Sequence, residues 1–298
     1  MQAAIYELLL GYGPHYPEHF GPDMQARLGA KPGAPGSGLI SAVAVAVETG
    51  AVVAHACTIF DPAHPSVGLF GAVFTDPAHR QRGLSSRTVR LALQGYDAAI
   101  AAAAQIDSIL DDKGGASAAS FVVLGTGSPH AARTYQKSGF GHLAGGLDGK
   151  KGYNPEDLGE WIMIRAASAR DGAEFNAADY YSGGKAEPDF VAEPLSRAHW
   201  AELVLLFNSF EGAGKLAALG IDDGLESEEK LCTLMNECES VGGRRAVVAR
   251  HTASGRVCGC AVSPLGAATS GDDQRQGTVY IAPGCEGAAK VLDGSLGA

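Results

Sequence analysis

The sequence predicts a mixed α/β protein in which strands and helices alternate around a partly parallel sheet. Three observations lead there. Short β-branched runs bounded by glycine recur between residues 40 and 75, the mark of antiparallel strands. From about residue 84 to 110, apolar and small residues recur at three- and four-residue steps, as on one face of a helix. SFVVLGTG (120–127) is then a continuous apolar run, typical of a buried parallel strand. Strand, helix, strand, helix, strand is the order of an α/β layer, not of a bundle or a sandwich.

Taken in order, residues 2–12 (QAAIYELLLGY) open the chain as a helix. SAVAVAVE (41–48) and AVVAHACTIF (51–60) flank Thr49-Gly50 and form a hairpin, and VGLFGAVF (67–74) adds a third strand. Leu84, Thr88, Leu91, Gly95, Ala98 and Ala99 line one face of the long helix. Gly114-Gly115 breaks the chain before the strand at 120–127. Ser128 and Pro129 hold the N-cap and first positions of the next helix, which stops at Gly139, and EWIMIRA (160–166) is a last strand.

A length of 298 residues suits two domains. The boundary is read from AASARDGAEFNAADYYSGGKAEP (166–188), which is rich in Ala, Ser, Gly and Asp and has no sustained apolar period. The expected organisation is a first domain over 1–167, a linker over 168–187, and a smaller α/β domain over 188–298.

Composition excludes several classes. With 46% hydrophobic and 19% charged residues the chain is too apolar to be disordered. A net charge of −10, concentrated in the last third, gives no footprint for nucleic acid or an anionic membrane and favours a cationic small substrate. The apolar tract AAIAAAAQI falls far short of the roughly 20 residues that span a bilayer. The N-terminus has no basic segment ahead of an apolar one. Six cysteines without C-x-x-C spacing form neither a disulfide framework nor a zinc site. A cytoplasmic location without a metal is the expectation.

The stretch that carries chemistry is VFTDPAHRQRGLSS (73–86), where a strand ends, a loop turns and a helix begins at Gly83-Leu84-Ser85. A helix N-terminus exposes unpaired N–H groups and a positive dipole end, and so attracts phosphate. Arg80 and Arg82 add charge at its rim.

Arg80-Gln81-Arg82-Gly83-Leu84-Ser85 resembles the Q/R-x-x-G-x-G/A loop of the GNAT superfamily of acyl-CoA-dependent N-acyltransferases, departing only at Ser85. GSPHAARTYQKSGFGHLAGG (127–146) resembles the second motif of that family, a helix bearing a Tyr followed by a Gly-Phe turn into the next strand. The resemblance covers roughly residues 1–167 and implies the GNAT fold, with acetyl-CoA as cosubstrate. It further implies that backbone groups of Val73 and Thr75 pair with the pantetheine arm. Arg80, Gln81, Arg82, Gly83, Leu84, Ser85 and Ser86 are then expected to cradle the pyrophosphate, and Tyr135 to protonate the departing thiolate. Thr126 or Ser128 stands where the family often has Asn. The strand that normally precedes the first helix is missing.

The acceptor amine must lose a proton, and His15, Glu18, His19, His55, Asp61 and His64 are candidates to take it. In the family the segment between the first two helices walls the acceptor pocket, so Glu18 in PHYPEHF is selected, together with His64.

In the last third, FVAEPLSRAHWAELVLLFNSF (190–210) reads as a strand and a helix, SEEKLCTLMNECE (227–239) as a second helix, RRAVVARHTASGRVCGCAVSPLG (244–266) as a hairpin, and TVYIAP (278–283) as a strand. That is the opening half of the same fold, implying a degenerate second GNAT-like unit unable to bind CoA, whose 190–195 strand is a candidate for the missing edge strand of the first. The functional expectation is transfer of an acetyl or other short acyl group to a primary amine of a small molecule, by direct attack in a ternary complex. A non-catalytic acyl-CoA-binding regulatory module and a protein N-acetyltransferase are the alternatives.

Overall fold

The computed structural model describes residues 1–11, 21–30, 38–110, 119–145, 161–167, 174–182, 190–210, 228–240, 244–263 and 277–296. The chain divides into two units, Met1–Glu174 and Phe175–Ala298.

In the first unit, β1 (Gly38–Val45) and β2 (Val52–Phe60) form the expected hairpin, closed by Gly50 at φ +69. β3 (Val67–Thr75) continues antiparallel to β2, and β4 (Phe121–Thr126) runs parallel to β3. With β5 (Gly141–Gly145) and β6 (Trp161–Ala166) the sheet order is β1-β2-β3-β4-β6-β5. β2 is buried along nearly its whole length, because both of its faces are covered.

One face is covered by α3 (Leu84–Leu110). Its residues Val89, Ala92, Leu93, Tyr96 and Ile100 pack with Ala42, Ala56 and Phe70 of the sheet. Close approach demands glycine: a Cβ on Gly95 would lie 2.5 Å from Ile40 Cγ2, and one on Gly68 2.9 Å from the Tyr96 ring. Tyr96 spends its hydroxyl on the Pro65 carbonyl at 2.6 Å. Arg165 on β6 grips Asp97 of α3 with two bonds of 3.0 and 2.7 Å.

α1 (Gln2–Leu10) ends against the other face, where a Cβ on Gly11 would stand 3.4 Å from the Phe74 ring. Phe74 pairs with His55, so that face also carries His55. α2 (Gly21–Gly29) buries an Asp23–Arg27 ion pair of 2.8 Å. α4 (Pro129–Gln136) starts at Ser128, whose hydroxyl accepts from the Ala131 N–H as an N-cap.

In the second unit, β7 (Phe190–Pro194), β8 (Ala246–His251), β9 (Val257–Val262) and β10 (Thr278–Ile281) make an antiparallel sheet of order β10-β9-β8-β7. The unit also contains α5 (Ala177–Tyr181), α6 (Trp200–Asn208), α7 (Glu228–Glu239) and α8 (Ala288–Leu296). Ala288 and Leu292 of α8 pack on Ala249 and Ala261 of the sheet. Every residue of α6 is buried, Glu202 included, whose carboxylate accepts both guanidinium nitrogens of Arg250 and the Val257 N–H. The Cys258 thiol donates to the Arg256 carbonyl at 3.5 Å. Burial pushes the Cys260 thiol up to about 12.

Two helices join those read from the sequence, and one expectation is corrected. The segment read as a linker contains α5, which the second unit holds by Cys285 Sγ donating to the Tyr181 carbonyl at 3.1 Å and by Arg256 lying over the Tyr180 ring. The stretch from Ala288 to Leu296, in which the sequence predicts no element, is α8. The strand at 190–194 does not complete the first sheet: it pairs with β8, from Phe190 opposite His251 to Pro194 opposite Val247.

Candidate active site

β3 and β4 are paired over only three positions, Val67 to Leu69 against Phe121 to Val123. β3 then runs six residues further and β4 three, so the strands part and leave a notch. Along β3 the backbone faces alternate. Asp76 N–H donates to the Val53 carbonyl at 2.9 Å, so Asp76 and Phe74 turn their backbone groups toward β2. By the antiparallel alternation, Thr75 and Val73 turn theirs to the opposite edge, into the notch.

A bulge interrupts β3 at the same place. Gly71 faces Cys57 and Phe74 faces His55, so Ala72 and Val73 together oppose the single residue Ala56. Ala72 has φ +49, the left-handed first residue of such a bulge. A non-glycine residue there is strained.

At the end of β3 the chain turns onto α3. Asp76 Oδ1 accepts from the Ala78 N–H at 2.7 Å and lies 3.2 Å from His79 Nδ1. The His79 bond first, and the Ala78 N–H second, hold the Asp76 carboxyl below its ordinary value. Arg80 is tied by Nε to the Thr75 carbonyl at 3.2 Å, at the mouth of the notch. Gln81 and Gly83 both have positive φ, +62 and +72. Such interruptions by left-handed residues turn successive N–H groups toward one concave side, a shape that suits anions. The first helical bond of α3 runs from Arg87 N–H to the Gly83 carbonyl, so the N–H groups of Leu84, Ser85 and Ser86 precede the helical ladder. Gln81, Arg82, Gly83 and Ser86 are exposed.

At the root of the notch is Tyr135. Its ring stands edge-on to Phe70 of β3, with centroids 5.9 Å apart, and to Phe140, 6.0 Å away. Phe70 is the first residue of β3 beyond the paired stretch. On the β4 side, Thr126 Oγ1 accepts from the Ser128 N–H at 3.2 Å, and Ser128 caps α4.

The described candidate bases are not presented to the notch as free bases. Glu18, with His15 and His19, lies outside the described residues. His64 stands in the β2–β3 turn, its N–H bonded to the Asp61 carbonyl at 3.1 Å. This is the end of β3 opposite the strand-to-helix loop, and five residues of strand, about 17 Å, separate Val67 from the bulge. The structure therefore does not bring His64 or Asp61 to the notch, because a hairpin turn and the exit of its second strand lie at opposite ends of a sheet. His55 is fully buried, with Nδ1 2.9 Å from the Ala72 carbonyl and Nε2 3.1 Å from Ser41 Oγ. Burial lowers its pKa, against the opposing effect of the Ala72 hydrogen bond. With both ring nitrogens occupied it cannot serve as the acceptor's base. Ala72 and Ser41, the two partners of His55, are residues that the sequence did not mark, since alanine does not advertise a positive φ.

No protein-family model matches the chain, and no curated protein sequence matches it. Solved structures do. The chain is similar to aminoglycoside 6'-acetyltransferase type Ii, with 16% identity and a TM-score of 0.37 over 57% of this chain and 91% of that one. It is similar to an acetyltransferase of the GNAT family from Staphylococcus aureus, with 14% identity and a TM-score of 0.34 over 56% and 93%. An acyl-CoA N-acyltransferase from Pseudomonas aeruginosa matches at 16% identity and a TM-score of 0.32 over 55% and 89%. In the first unit the strand order, the parted β3 and β4, the loop onto the long helix and the Tyr-bearing helix before the Gly-Phe turn form a mixed α/β arrangement around a partly parallel sheet. Among the described residues no helix is long and apolar enough to cross a membrane, and none of their His, Cys, Asp and Glu side chains cluster as a metal site.

Proposed function

We propose that the first unit transfers an acetyl or other short acyl group from acyl-CoA to a primary amine of a small molecule. The observation that carries this is one continuous groove chemistry. Two outward-facing backbone positions, Val73 and Thr75, border a notch that ends in a loop shaped for an anion.

The residues fit the cosubstrate. Thr75, with the Val73 carbonyl, offers backbone groups to the amides of a pantetheine arm in the manner of an added strand. Arg80 and Arg82, with the N–H groups around Gly83, Leu84, Ser85 and Ser86, suit a pyrophosphate. The Val73 N–H polarises the thioester carbonyl as the amine nitrogen attacks its carbon. A C–N bond forms, the C–S bond breaks, and the Tyr135 hydroxyl hands its proton to the leaving sulfur. The surplus proton of the acceptor nitrogen leaves to water, and water returns a proton to the Tyr135 oxygen, so that none is gained or lost overall. Proximity supplies much of the rate. The net charge of −10 favours a cationic acceptor such as a polyamine or an aminoglycoside.

The second unit is read as a degenerate half of the same fold. Its sheet order β10-β9-β8-β7 followed by α8 parallels strands leading onto a long helix. Its corresponding loop, 282–288, has no arginine, so it offers CoA no charged cradle.

Calorimetric titration with acetyl-CoA, CoA and NAD in parallel tests the reading. Micromolar binding of the first two and none of NAD is expected, with loss of binding when Arg80 and Arg82 are both replaced by Ala. No binding of acetyl-CoA to the intact chain refutes it.

A further inference from the structure

We propose that His55 is a positioning residue for acyl transfer, holding the Ala72–Val73 peptide so that the Val73 N–H stays turned into the notch. The proposal rests on the acyl-transfer reading given above.

The argument starts from the bulge. Ala72 sits at φ +49, a conformation that an L-residue leaves unless its surroundings hold it there. What holds it is the imidazole of His55, 2.9 Å from the Ala72 carbonyl. A carbonyl oxygen can only accept, so Nδ1 carries the proton and donates. Nε2 then accepts, and Ser41 Oγ at 3.1 Å is its donor. The tautomer is thus set by two partners on the two neighbouring strands, β1 and β3. Cys57 Sγ donates to the adjacent Gly71 carbonyl at 3.5 Å, so two consecutive carbonyls of β3 are held from β2 side chains.

The peptide link does the rest. A trans peptide is planar, and its C=O and N–H point in opposite directions. With the Ala72 carbonyl drawn to the imidazole, the Val73 N–H is directed away from it, to the edge from which β4 has departed. A fully buried, neutral histidine is costly to place in a strand interior. Here both of its polar atoms are satisfied: Ser41 fixes the tautomer from β1, and the other bond goes to the strained residue of the bulge, Ala72. It touches neither thioester nor amine, and acts through the backbone alone.

The test uses acetyl-CoA carrying ¹³C at the thioester carbonyl and reads its infrared stretch in the complex. In the intact protein, and in His55→Asn, whose amide NH₂ occupies the place of Nδ1–H, the band is expected to shift to lower frequency on binding. In His55→Gln, whose amide reaches toward Ser41 instead, and in His55→Leu, the shift is expected to vanish. Acetyl-CoA affinity is then about fivefold weaker, the worth of one ordinary hydrogen bond, with CoA affinity unchanged. The Asn and Gln pair, both polar and similar in size, keeps the test open where the Leu variant does not fold. A full band shift in His55→Gln, or its equal loss in both polar variants, overturns the proposal while leaving acyl-CoA binding intact. Failure of the unaltered protein to bind acetyl-CoA overturns the acyl-transfer reading, and the positioning role with it.

Discussion

The ring of Tyr135 meets that of Phe70 edge-on, with centroids 5.9 Å apart and planes at 79°. The contact joins α4 to β3 at the residue where β3 and β4 cease to pair. The ring carries this packing, and the role proposed for Tyr135 needs its hydroxyl. Tyr135→Phe, which keeps the ring, is expected to leave CoA affinity nearly unchanged while lowering turnover about 10²-fold, the low end for general acid catalysis. Steady-state kinetics with a responsive amine checks this, and unaltered turnover removes Tyr135 from the mechanism.

Gly83 has φ +72, and a Cβ added there meets nothing within 4 Å. Space is therefore no obstacle, and the cost of substitution is conformational. A β-branched residue disfavours that region by about 1–2 kcal/mol or more, so Gly83→Val is expected to weaken CoA binding about tenfold with little change in the core. Calorimetry on the variant, beside a thermal melt, separates loop distortion from global unfolding.

His55 also makes a prediction about pH. Its pKa is lowered by burial from an ordinary 6.5, so below pH 6.5 the unfolded chain takes up a proton that the folded one resists. Stability from this group is complete above about pH 6.5 and declines as pH falls toward the folded-state value. Melting curves from pH 7.5 downward are expected to show this decline. His55→Asn, which does not titrate, flattens it over the same window.

In the second unit, Arg250 is buried between Glu202 and Glu193, with Nη1 3.0 Å from Glu202 and Nε 3.1 Å from Glu193. Removing one partner of a buried pair leaves a charge without compensation. Glu202→Gln is expected to destabilise this unit by about 3 kcal/mol, the lower end for such a break because Glu193 remains. Replacing Glu202 by Leu and Arg250 by Met together restores most of the loss. Chemical denaturation of the three variants reads the difference directly.

The sequence by itself determined a great deal. The β1–β2 hairpin, β3, the long α3, β4 and the capped α4 are all written locally: alternation or apolar runs for strands, three- and four-residue steps for the helix, Ser128-Pro129 for its start. The 80–86 loop was legible for the same reason, since glycine, arginine and a helix start are properties of adjacent residues. α5 and α8 were not read, because both are short and draw their stability from packing, α8 through Ala288 and Leu292 on the second sheet. Only the tertiary structure decided which groups share the notch. His64 and His55 are both histidines near one hairpin, yet strand direction sends the first to the far end of β3, while register sets the second against Ala72. The bulge itself is a property of pairing between strands, two residues opposite one. Periodicity along a single chain holds no record of it, because a residue's partner across a sheet is chosen by the fold as a whole.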